Sequence, residues 1–145
     1  MKVCLINCPA SIRATKGYGI SLLDEPLGIM YLASMLQNDY DILLIDGYVS
    51  YSPIEIIMKK IENFSAQIVG LSCIFSSQIP VAIHLAEKIK NLDKNIHIVL
   101  GGNPATFLAR YLINIPFVDA VILHEGERSF VNYLHFIEKK ITSDK

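Results

Sequence analysis

Five short aliphatic and β-branched runs, each followed by a segment with helical spacing, constrain this chain more than any other feature. Val3–Asn7, Ile42–Asp46, Ile68–Ser72, Ile96–Leu100 and Ala120–Leu123 read as buried strands, being nearly continuous apolar stretches of strand length. Leu27–Gln37, Pro53–Phe64, Pro80–Leu92, Pro104–Leu112 and Arg128–Lys140 read as helices. Three of these open on a proline, whose missing N–H costs nothing in a first turn. Strands apolar on both faces, joined by crossovers of helical length, specify a parallel sheet covered on both sides with right-handed connections. The expected fold is therefore α/β and three-layered: a flavodoxin-like (Rossmann-like) five-stranded parallel sheet in the order 2-1-3-4-5. Such an order has a switch point between the first and third strands, and ligands lie beyond the carboxyl ends of the strands there.

The 145 residues suit one domain, expected to span 1–145. The formal charge is −1 with acids and bases interspersed, so there is no basic field to hold a phosphate backbone, and nucleic acid is not expected as a partner. Apolar runs are too short to cross a bilayer, and the Met-Lys start lacks the apolar core of a secretion signal. A cytoplasmic protein without a membrane partner is expected. Cys4, Cys8 and Cys73 are an odd number, which argues for free thiols over a disulfide framework.

Function should be written just after each strand. Asn7-Cys8-Pro9-Ala10-Ser11 lacks the glycine spacing that lets backbone approach a pyrophosphate, and Lys16-Gly17-Tyr18-Gly19 has the wrong order for a triphosphate loop. The segment from Cys8 to Pro26 is longer than the roughly two to six residues usual for such a connection, which marks a functional or a disordered loop. Asp46-Gly47 closes strand two with either a turn-forming aspartate or a functional carboxylate. A receiver domain would need an acidic cluster after strand one and a lysine after strand five, and neither is present.

Strand three ends in small and hydroxyl residues, Gly70-Leu71-Ser72-Cys73-Ile74-Phe75-Ser76-Ser77. Strand four ends Gly101-Gly102-Asn103-Pro104, where paired glycines admit a bulky group close to the backbone or supply a tight turn. Strand five ends His124-Glu125-Gly126-Glu127 and runs into a helix, whose positive end accounts for one of the two acids.

Taken in order, these landmarks resemble the N-terminal cobalamin-binding domain of the cobalamin-dependent radical-SAM family. The resemblance rests on Pro26-Leu27-Gly28 opening helix one, Asp46 closing strand two and Val69–Ser72 in strand three. It also rests on the Gly101–Thr106 turn and on Glu125–Glu127, with Ser72-Cys73-Ile74 and Gly101-Gly102 separated by Phe75–Leu100 as in cobalamin-binding domains. It implies cobalamin as cofactor, held by Asp46, Ser72, Ile74, Gly101, Gly102, Asn103, Glu125, Gly126 and Glu127, with the long loop after strand one edging the corrin. It further implies that a bulky residue in place of Gly102 removes the ligand while folding is kept.

Two departures from the family pattern matter, and the first sharpens this expectation. The general cobalamin pattern supplies a histidine to cobalt from the loop after strand one, but no histidine precedes His84 here, so no lower ligand comes from that loop. His124 stands where relatives usually carry glycine.

Cys4-x-x-x-Cys8 copies only the first half of the motif that holds a four-iron cluster, and Ser11 stands where the third cysteine would fall. S-adenosylmethionine and that cluster are thus expected only in a radical-SAM barrel, in cis or in trans. No catalytic residues and no metal ligands are expected in this chain. Two other readings stay open: a cofactor-less docking domain of the same fold, and a flavodoxin-like flavin carrier, which Pro9-Ala10-Ser11-Ile12-Arg13 fits poorly as a phosphate loop.

Overall fold

The computed structural model describes residues 1–11, 25–48 and 53–143. Five parallel strands form one sheet: β1 Lys2–Asn7, β2 Asp41–Asp46, β3 Ile68–Ser72, β4 His97–Gly101 and β5 Ala120–Val121. Their order is β2-β1-β3-β4-β5, the flavodoxin-like order expected above. Register sets Asn7 beside both Asp46 and Ser72, and Ser72 beside Gly101, so the four residues form one row across the carboxyl ends.

The helices are α1 Leu27–Leu36, α2 Ile54–Phe64, α3 Ile79–Leu92, α4 Asn103–Phe107, α5 Ala109–Leu112 and α6 Gly126–Ser143. Pro53 caps α2, and Pro80 and Pro104 lie in the first turns of α3 and α4. Strand periodicity of two divides the core. Cys4, Ile6, Cys8, Val69, Leu71, Cys73, Ile98 and Leu100 meet Ile57 and Ile61 of α2 and Leu85 and Ile89 of α3 on one face. Val3, Leu5, Ile68 and Val99 meet Ile29, Ala33 and Leu36 of α1 and Phe130, Leu134 and Ile137 of α6 on the other.

Three expectations need correction. The fourth helix is not continuous over Pro104–Leu112: Leu108, at φ −97° and ψ 9°, separates two short helices, and nothing in the residue types there marks the break. β5 stops at Val121, short of Leu123. Ile122 still donates its N–H to Leu100 O, but His124 has turned to φ 55° and donates its N–H to Thr106 Oγ1, which draws the chain off the sheet. α6 begins at Gly126, two residues before Arg128, so Glu127 lies inside its first turn. Among the described residues no helix is long and apolar enough to cross a membrane.

Candidate cofactor site

A cavity of ≈ 440 Å³ opens at the carboxyl ends of β3 and β4 and runs beneath α1 and α6. It exists because the side chains that should fill that face are missing. On β3 the residues facing α1 and α6 are Ile68, Gly70 and Ser72, with Leu5 and Phe130 closing over Gly70, and on β4 they are His97, Val99 and Gly101, so bulk falls away toward the mouth. Leu5, Ile29, Leu32, Val99, Ile122 and Phe130 make an apolar lining, while Ser72, Asn103, His124, Glu125 and Glu127 supply its polar groups. A Cβ on Gly28 would meet nothing within 4 Å, and one on Gly101 only Ile122 Cβ at 3.9 Å. Both glycines therefore leave open volume and not a tight contact.

Gly102 does something different. Its φ is 95°, and a Cβ there would lie 2.1 Å from Cys73 O. The residue is a packing requirement between the turns after β3 and β4, so a bulky replacement cannot retain folding as expected above. Thr106 fastens the same turn, donating its hydroxyl to Gly102 O at 3.3 Å and accepting the His124 N–H at 2.9 Å.

Of the expected site residues, Ser72, Gly101, Gly102, Asn103, Glu125, Gly126 and Glu127 are brought together around this cavity. Two lie apart. Asp46 Oδ1 accepts the Tyr48 N–H at 3.1 Å and Asn7 Nδ2 at 3.0 Å, the arrangement of a turn-forming aspartate. Ile74 is half-exposed outside the lining. The loop expected to edge the corrin falls largely on residues 12–24, outside the described residues. Sequence reasoning missed Gly70, Leu5, Ile29, Leu32 and Phe130; the signal was Gly70, a glycine inside an apolar strand where backbone is approached closely.

A larger hollow of ≈ 710 Å³ lies at the amino ends of the strands, near Lys90, His97 and Asp119. Lys90 Nζ and Asp119 Oδ2 pair there at 2.7 Å. Parallel sheets present ligand sites at the opposite end, so size does not decide between them.

The model of the B12 binding domain matches residues 23–134. The chain belongs to that family. An uncharacterised methyltransferase of Pyrococcus horikoshii is 31% identical over 140 residues, 96% of this chain and 30% of that protein. Cytidylyl-2-hydroxyethylphosphonate methyltransferase of Streptomyces wedmorensis is 25% identical over 162 residues, 99% of this chain and again 30% of the relative. This B12 binding domain thus spans less than a third of the length of either. A cobalamin-binding protein of Desulfitobacterium hafniense superposes with TM-score 0.65 at 14% identity, covering 91% of this chain and 58% of that one. The apo form of the cobalamin-dependent S-adenosylmethionine radical enzyme OxsB superposes with TM-score 0.64 at 23% identity, covering 95% and 19%. Both likenesses concern the fold.

The cysteines of the B12 binding domain are free and buried on the face away from the cavity. Burial pushes the Cys4 thiol up to about 12. A hydrogen bond with Cys73, reinforced by burial, holds the Cys8 thiol well above its ordinary value. A thiol held protonated, as at Cys4 and Cys8, is a poor nucleophile. Among the described residues no group of three or more His, Cys, Asp or Glu side chains is placed to hold a metal ion.

Proposed function

We propose that residues 1–145 form one domain that binds cobalamin, takes its nucleotide tail into the cavity beneath α1 and α6, and presents the corrin to a radical-SAM barrel in cis or in trans. The observation that carries this reading is the hollow left on one sheet face at Ser72 and Gly101, where a Cβ on Gly101 would meet only Ile122, at the end where such folds take ligands. The cavity lies low in the range of roughly 300–1,000 Å³ typical of ligand pockets, room for a nucleotide-sized tail and not for a macrocycle. Its apolar lining suits a flat aromatic base, and its polar groups suit the sugar and amide groups that join base to ring.

Ser72 and Asn103 would bond the tail, Gly101 and Gly126 would give it room, Gly102 would hold the turn after β4 against Cys73, and Glu125 and Glu127 would accept hydrogen bonds from corrin amides. Asp46 would act from the end of β2 by fixing Asn7 and Tyr48, and Ile74 would touch the ring outside the cavity. When bound, the cofactor supplies methyl transfer or radical-coupled chemistry, with S-adenosylmethionine and a four-iron cluster provided by the partner domain. No lower ligand to cobalt comes from the loop after β1, because no histidine precedes His84.

Titration with hydroxocobalamin followed by absorbance tests the reading. Wild-type protein is expected to perturb and saturate the corrin bands. Gly101→Leu, which fills the open cavity, is expected to lower affinity by about tenfold or more with unfolding unchanged. Wild-type protein that leaves the bands untouched would overturn it; flavin mononucleotide bound instead would point to the flavin carrier.

A further inference from the structure

We propose that Gln78 is a positioning residue that ties together the two loops at the switch point and thereby sets Ile74 and Phe75 as an apolar ledge under the corrin ring; this rests on the cobalamin reading above. Gln78 and Asn7 are the buried polar side chains among the described residues, and Gln78 is 0% exposed. An unpaired amide in that position would be destabilising, and leucine would fill similar volume without that penalty. Glutamine is therefore there for its bonds. Its Nε2 donates to Cys8 O, and its Oε1 accepts the N–H groups of Ile74 at 2.6 Å and Phe75 at 2.8 Å.

Those partners belong to two different strand ends. The ladder of β1 and β3 extends one step past its paired residues, with the Cys8 N–H donating to Ser72 O at 3.0 Å. Gln78 supplies the next rung through a side chain, across the pair of strands where the sheet order reverses. The result is a turn tied by three hydrogen bonds directly beyond Ser72, which lines the cavity. On it Ile74 and Phe75 stand 50% and 44% exposed. The Phe75 ring is held against Tyr48, with centroids 5.8 Å apart. Two adjacent apolar side chains kept in water beside a polar-mouthed cavity match a flat macrocycle whose tail enters that cavity.

The test compares cobalamin with cobinamide, which carries the corrin without the nucleotide tail, in absorbance titrations of the 145-residue chain. Gln78→Leu is expected to weaken both corrinoids by the same factor, about tenfold or more, whereas Gly101→Leu weakens cobalamin and spares cobinamide. Gln78→Glu is expected to bind near wild-type strength while its buried carboxyl is protonated and can donate to Cys8 O, and to lose affinity for both as pH rises and that donor goes. Equal wild-type affinity of folded Gln78→Leu for both corrinoids would overturn the ledge, as would a loss confined to cobalamin. If Gln78→Leu does not fold, a flat pH profile for Gln78→Glu overturns it. Wild-type protein binding neither corrinoid is a separate result that ends the cobalamin reading itself.

Discussion

The two faces of the sheet are made from the same five strands and differ in one respect. Toward α2 and α3 the central strands carry Cys4, Ile6, Cys8, Val69, Leu71, Cys73, Ile98 and Leu100, all essentially inaccessible to water. Toward α1 and α6 the same strands carry Val3, Leu5, Ile68, Gly70, Ser72, Val99 and Gly101. Side-chain volume stays high to the end of the strands on the first face and drops at the carboxyl end of the second. A parallel sheet needs apolar cover on both faces to fold, yet it can leave one corner unfilled if the rest of the core compensates. Here the closed face supplies compactness and the open face supplies the cavity.

The largest effect should come where the faces share a contact. Gly102 packs its Cα against the backbone of Cys73, so Gly102→Val must displace main chain as well as bear backbone strain of about 1–3 kcal/mol. Loss of the cooperative unfolding transition in urea is expected; a native-like transition would show that the turn is softer than its geometry. Next is Leu85→Ala on α3, a fully buried residue of the closed face. It should cost about 2–5 kcal/mol in urea denaturation while corrinoid affinity of the folded fraction stays as in wild type. A binding defect there would break the division of labour between the faces.

Much of this division was legible in the residues, and the illegible part has a common cause. Continuous apolar runs and intervening helical spacing are sufficient for a parallel sheet with right-handed crossovers, which leaves few strand orders, the observed one among them. Ser72, Gly101, Gly102 and Glu125–Glu127 stand out as landmarks in order along the chain, since any one of them alone also serves a turn or a helix start. Leu5, Val99 and Phe130 do not, because an apolar residue lining a void looks like an apolar residue lining a core. Gly101 and Gly102 are adjacent and identical in sequence, yet one faces open space and the other a carbonyl oxygen; only φ and the position of Cys73 separate them. Gln78 is equally silent, since glutamine near Ser76-Ser77 reads as a solvated loop until its three bonds are seen.

The smallest expected effect lies at the amino end of β4, far from the cavity. His97 is partly buried, and its Nδ1 lies 3.3 Å from the Tyr133 hydroxyl. Burial holds its imidazole below the usual 6.5; Lys90 and Lys140 push the same way and Asp119 opposes. The unfolded chain thus takes up a proton near pH 6.5 that the folded chain accepts only at lower pH. Within that interval the unfolded state binds more protons, so stability rises with pH up to about 6.5 and is flat above it as far as this group is concerned. Acidification from pH 7 toward about 5 should lower the urea midpoint, and His97→Gln, which cannot titrate, should remove that part of the slope. The variant should leave corrinoid affinity unchanged, because the residue sits at the end of the sheet that the cavity does not reach. An unaltered pH slope in His97→Gln would move the acid sensitivity elsewhere, and a binding defect would mean that the two ends of the sheet are coupled through β4.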